Sequence, residues 1–313
     1  MSLRGRALFV LTLLAVLGCG SSSDETSGAS RPTVGVTADI VAPRGETQPD
    51  YYQRQVLLIN KWIREAGPPP RSSAGILEIV RQSRDESGKL ADMPPYDLVT
   101  TLDTWLKAAQ DKDSVRQAAA YLVADRVLRL AWHPFNFTDP SQQLAQVRSR
   151  LKALGASSEL SAASGEMAYA GGWVQQAARL DPTGPMGQRA ALLQLEADCA
   201  GGDSPQPYYG IVARLEPLVT TPADSEVKWT AQLLEADAYR DIVALASGLG
   251  KANADSTKFQ PDAESAKARA IALYQAALAG DTASRLAKGG QATLARLTGG
   301  LAPTHVRFFC FGQ

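Results

Sequence analysis

Residues 224–247, DSEVKWTAQLLEADAYRDIVALAS, and 262–279, DAESAKARAIALYQAALA, decide the fold class. In each, apolar residues recur every three or four positions, the spacing that lines one side of an α-helix, and neither shows the period-two alternation of a half-buried strand. The same pattern continues on both sides, predicting helices at about 141–154, 158–180, 185–200, 206–219 and 282–298, with Gly, Pro or Asp in the turns between them. Residues 145–302 hold 35 of the 50 alanines, against 12 in residues 31–144, so helices of this later part can approach closely through small side chains. No strand pattern interrupts them, and the expected class is all-α.

Upstream, helical spacing appears at 51–66 (Val56, Ile59, Ile63), ends at Gly67 and three prolines, and resumes at 73–84, 95–110 and from the Asp113 cap through Trp132. The loop 133–140 and the rise in alanine beyond it divide the chain into a helical region at 32–140 and a second at 141–302. Short extended segments are expected at each end. Residues 32–49 alternate Val34, Val36, Ala38 and Ile40 between prolines, and the aromatic tail 303–313 could pair with that lead-in or dock on the helices.

Two features point to repeats. Residues 193–200 and 232–239 match at an offset of 39, with Leu195/Leu234, Glu196/Glu235, Ala197/Ala236 and Asp198/Asp237 identical. Ala170, Val174, Ala177 and Pro182, and again Ala270, Tyr274 and Ala277, have spacing that resembles the second helix of a tetratricopeptide repeat, although Thr282 stands where proline would and Pro217 replaces an expected alanine. The resemblance covers roughly residues 158–298. It implies antiparallel helix pairs stacked as an α-solenoid with a concave binding groove.

The N-terminus carries a different signal. Arg4 and Arg6 precede an apolar run from residue 7 to 18, about 18 Å long as a helix and short of the ~30 Å needed to span a bilayer. Val16-Leu17-Gly18-Cys19 resembles the lipobox of bacterial lipoproteins, which implies cleavage after residue 18 and lipid attachment to Cys19. Residues 19–31 are small and polar, a tether of roughly 20 Å as a random coil. Gly20 in place of aspartate leans toward the outer membrane, facing the periplasm in a Gram-negative cell. The expected location is therefore the bacterial cell envelope, with the lipid anchor as membrane contact. Cys199 and Cys310 remain, and in an oxidising compartment they could form one disulfide or stay as buried thiols.

Charge and composition exclude some functions. The chain has 32 basic and 32 acidic residues and no basic stretch, which argues against nucleic acid as a partner. With two histidines, His133 and His305, and no second ligand at metal spacing, neither a metal, another cofactor nor a catalytic residue is expected. Ser149 and Lys152 match a serine–lysine spacing without its companion motifs, and Gly248–Lys251 lacks the strand and upstream glycine of a phosphate loop. Glu196/Asp198 and Glu235/Asp237 are two apart, roughly 200° around a helix, and cannot share one proton. The five tryptophans are expected mainly in the core, with Trp173, Trp229, Tyr208 and Tyr209 as candidate groove-lining residues. The expected function is a protein–protein interaction scaffold and not an enzyme; the alternative is a lipoprotein that holds a small molecule or glycan in a helical pocket.

Overall fold

The computed structural model describes residues 48–84, 94–132, 142–160, 167–196, 200, 204–249, 254–280 and 285–309. The export signal, Cys19, the tether, the lead-in before residue 48, His133, Cys199 and Cys310 lie outside the described residues.

The described chain is mainly helical: α1 Gln48–Ala66, α2 Pro70–Gln82, α3 Pro95–Ala109, α4 Ser114–Ala131, α5 Gln142–Ala153, α6 Trp173–Leu180, α7 Pro185–Glu196, α8 Gln206–Thr220, α9 Ser225–Ala246, α10 Ala263–Gly280 and α11 Arg285–Thr298. Boundaries follow local chemistry. Asp113 and Asp224 cap α4 and α9 by accepting from the N–H of Arg116 and Val227, each at 2.9 Å. Proline opens α2 and α3, where its missing N–H costs nothing. Gly67, at φ +60°, stops α1 in the left-handed region.

One expected helix is corrected. Residues 158–180 do not form a single helix: β1 Ser157–Leu160 and β2 Met167–Gly171 pair antiparallel, and α6 begins only at Trp173. Gly172 makes the exit, at φ +115° and so close to the Gly155 carbonyl that a side chain would clash. Ala170 therefore sits on a strand, and the first tetratricopeptide-like signature is broken there. The hairpin is fastened to α4: the Tyr169 hydroxyl donates to Asp125 at 2.7 Å, and Arg129 donates to the same carboxylate at 3.0 Å while lying over the Tyr169 ring.

Two main bodies of core meet on α7. One contains Met186 and Ala190 together with α1–α6, and the other begins at Leu192 and Leu195. In the first, Trp62, Trp105, Trp132 and Trp173 are buried, and three indole N–H groups donate to backbone carbonyls: Trp105 to Ala120, Trp132 to Met167 and Trp173 to Leu154, at 2.9, 3.0 and 2.8 Å. At the seam Arg189 of α7 reaches Asp224 at 2.9 Å, Glu226 at 2.8 Å and Glu65 of α1 at 3.7 Å, and Lys61 pairs with Glu226.

The second core is built differently. Ala231, Ala236, Ala238 and Ala244 of α9 and Ala266, Ala270 and Ala277 of α10 are all buried, which lets these antiparallel helices approach closely. Tyr274 fills the remaining gap and donates to Asp237 at 2.5 Å. Arg240, 3% exposed, bridges Asp237 at 2.8 Å and Asp241 at 2.7 Å. Asp241 also accepts from the backbone N–H groups of Arg307 and Phe308 at 2.8 and 2.7 Å, and the Arg307 guanidinium reaches Asp237 at 3.2 Å. This holds the tail against α9, with Val306, Phe308 and Phe309 buried. The tail adds one parallel bridge, Ala200 to Phe309, and so docks on the helical body.

Candidate functional site

α9 is surrounded on most sides. Leu234, Ala238, Ile242 and Leu245 enter the cluster shared with α8, while Leu233 and Ala236 face the cluster shared with α10. The helical period leaves Gln232, Glu235 and Tyr239 on one strip, at i, i+3 and i+7. α8 and α10 each pack along α9 far more than on each other, so this strip is the floor of a groove between them. From α8, Tyr209 and Glu216 stand on the same i, i+7 face along one wall; from α10, Arg269 stands on the other.

The electrostatic coupling supports that placement. Glu235 is half-buried and makes no hydrogen bond with a described residue; burial and the nearby negative charge of Glu216 raise its carboxyl above the usual range, against the pull of Arg269. The Tyr239 phenol is raised by burial and by Glu235. Tyr209 packs edge-on against Tyr239 at 6.3 Å and donates to Asp262 at 2.9 Å, and burial followed by that bond pushes its phenol up to about 12. Gln232, 7% exposed, has a side-chain oxygen with no hydrogen-bond partner. Among the described residues, two carboxylates, an unsatisfied amide oxygen and two phenol rings thus accompany the Arg269 guanidinium, and the groove is acceptor-rich.

Of the four aromatic residues expected along a groove, only Tyr209 lines this one. Trp229 is partly buried at the end of α9 against Gly280, which has no side chain to displace the indole. Trp173 and Tyr208 are wholly buried and line no surface: Trp173 packs on Tyr169, and Tyr208, 100° around the helix from Tyr209, packs edge-on against Phe259. Cys199 and Cys310 lie outside the described residues, though their neighbours Ala200 and Phe309 are bridged. Glu235 and Asp237 diverge as two-apart residues on a helix must, one into the groove and one into the buried charge network. Ser149 and Lys152 are exposed on α5. His305 accepts from Arg240 at 3.2 Å, and burial, then Arg240, lowers its pKa.

Glu216, Gln232, Tyr239 and Arg269 escaped the sequence. For Gln232 and Tyr239 the signal was their i, i+7 spacing with Glu235 between them on α9, and for Glu216 and Arg269 there was none, because the strip becomes meaningful only when the helices flanking it are known. Among the described residues no helix is long and apolar enough to cross a membrane. No protein-family model, curated protein or solved structure matches the chain.

Proposed function

We propose that this protein is a lipid-anchored scaffold of the bacterial cell envelope that holds a segment of a partner protein in the groove between α8 and α10. One observation carries the proposal: a strip of half-buried polar and aromatic side chains left uncovered along the middle of an otherwise enclosed helix. The antiparallel succession α8, α9, α10 and α11, with Ala270, Tyr274 and Ala277 packed on α9, supports a tetratricopeptide-like stack for this part. Cys19 carries the lipid, and residues 20–31 let the body reach a partner near the membrane. Four of the five tryptophans are core, so the small-molecule pocket loses the aromatic lining that would favour it.

A photo-crosslinking amino acid at position 239 in intact cells tests the scaffold. A discrete adduct there, missing when the probe stands at exposed position 77 on α2, is expected; equal labelling at both positions contradicts it. For the anchor, Cys19→Ala is expected to abolish palmitate incorporation, and unchanged labelling would sink that part.

A further inference from the structure

The groove proposed above as a docking site also specifies what its occupant presents. We infer that the α8–α10 groove takes the cationic side chain of an arginine or lysine from an extended segment of the partner protein, seated between Glu216 and Glu235 beside the Tyr209 and Tyr239 rings. This inference deepens the scaffold proposal and rests on it.

Three independent observations converge. The first is charge. Glu216 lies close enough for its charge to act on Glu235, and Arg269 acts on Glu235 only through space, without a hydrogen bond. A second cation would neutralise a pair that the protein leaves under-compensated. The second observation is the orphaned acceptor. Gln232 is more than nine-tenths buried, its side-chain oxygen has no partner, and it shares a helix face with Glu235 and Tyr239. A buried carbonyl oxygen without a donor is costly, and an ammonium or guanidinium brings several donors at once. The third is aromatic geometry. Tyr209 and Tyr239 meet edge to face at 67°, and the Tyr209 hydroxyl is fixed by Asp262, so the rings are held before anything binds. Phenol faces attract cations, and a guanidinium can stack on one while its N–H groups reach carboxylates.

Arg189 forms the other charged hub, but Asp224, Glu226 and Glu65 already surround it and Lys61 completes the balance. The Asp237–Arg240–Asp241 group is likewise closed by the tail. Glu65 Oε2 at the first hub lacks a hydrogen bond but has the Arg189 guanidinium 3.7 Å away, whereas the groove combines an orphaned amide oxygen with two carboxylates.

The test is a titration of the full chain with two acetylated, amidated pentapeptides, Ala-Ala-Arg-Ala-Ala and the same peptide with citrulline for arginine, followed by side-chain NMR of the tyrosines. Citrulline keeps the shape and removes the charge. The arginine peptide is expected to shift Tyr209 and Tyr239 and to bind at least tenfold more tightly than the citrulline peptide. Glu235→Gln and Glu216→Gln are each expected to weaken it severalfold without lowering the melting temperature, so that lost binding cannot be put down to misfolding. Equal affinity for the two peptides, binding unaffected by both substitutions, or no shift with either peptide at millimolar concentration would overturn the inference. Crosslinking at position 239 separates this outcome from failure of the scaffold proposal: a partner captured there without peptide discrimination leaves the scaffold and removes the cation, whereas no specific capture removes both.

Discussion

The core around α4 holds four tryptophans, three of whose indole N–H groups end on backbone carbonyls, whereas the contact of α9 with α10 is made through alanines and Tyr274 beside a buried set of charges. Both enclose a central helix that is buried nearly all round. A buried tryptophan gains from large apolar area and a short-range hydrogen bond, and neither of these depends on salt or acid. An alanine core gains less area per residue but brings backbones closer, and here it leaves space between α8 and α10 and recruits ions to hold the tail. The difference separates a region suited to rigidity from one suited to contact.

The largest break in that comparison is Asp241→Ala. It strips Arg240 and two tail N–H groups of their acceptor inside the core, and urea denaturation should show a loss of about 3–5 kcal/mol with earlier proteolysis of the tail. Gly280→Ala comes next. Its new methyl meets the Trp229 ring, so about 1–3 kcal/mol and a change in Trp229 fluorescence are expected, and an unchanged melting temperature would mean the α9–α10 contact is looser than described. In the other region, Trp132→Phe deprives the Met167 carbonyl of its donor and should cost about 1–2 kcal/mol, equally at low and high salt. A strong salt dependence there would erase the contrast between the cores.

Acid sharpens the contrast further. Burial raises Asp237, but Arg240, Arg307 and the Tyr274 hydroxyl outweigh it and hold the carboxyl below the ordinary aspartate range. A lowered folded pKa contributes stability that is present above the unfolded value and lost as pH falls through the folded one. Melting temperature measured between pH 7 and pH 2 should therefore fall less steeply in Asp237→Asn than in the wild type, while Trp132→Phe should run parallel to the wild type. Parallel curves for Asp237→Asn would show that the network does not set the acid limit.

Most helices were legible because their apolar periodicity and their stops, such as Gly67 and the Asp113 and Asp224 caps, are local. The hairpin at 157–171 was not. Its second strand, Met167 to Gly171, alternates only Met167 and Tyr169 inward between alanines and lacks the β-branched residues that announce a strand, and its pairing depends on Tyr169 finding Asp125 on a distant helix. The groove was half legible. Tyr209 was recognisable as an aromatic at a helix start, but Glu235 looked like a solvated residue, because nothing local tells that α8 and α10 rise on either side of it. Asp241 and Arg240 were equally hidden, since their partners come from the far end of the chain.

Glu235→Gln tests the central claim most directly when stability and binding are measured on the same sample. A carboxyl with a raised folded pKa costs stability whenever it is ionised above its unfolded value, and that cost is relieved as pH falls. The account predicts that at pH 7 the variant melts slightly higher than the wild type and binds the arginine peptide severalfold more weakly. A variant that melts lower while binding the peptide undiminished would make Glu235 a structural residue and leave the groove without its function.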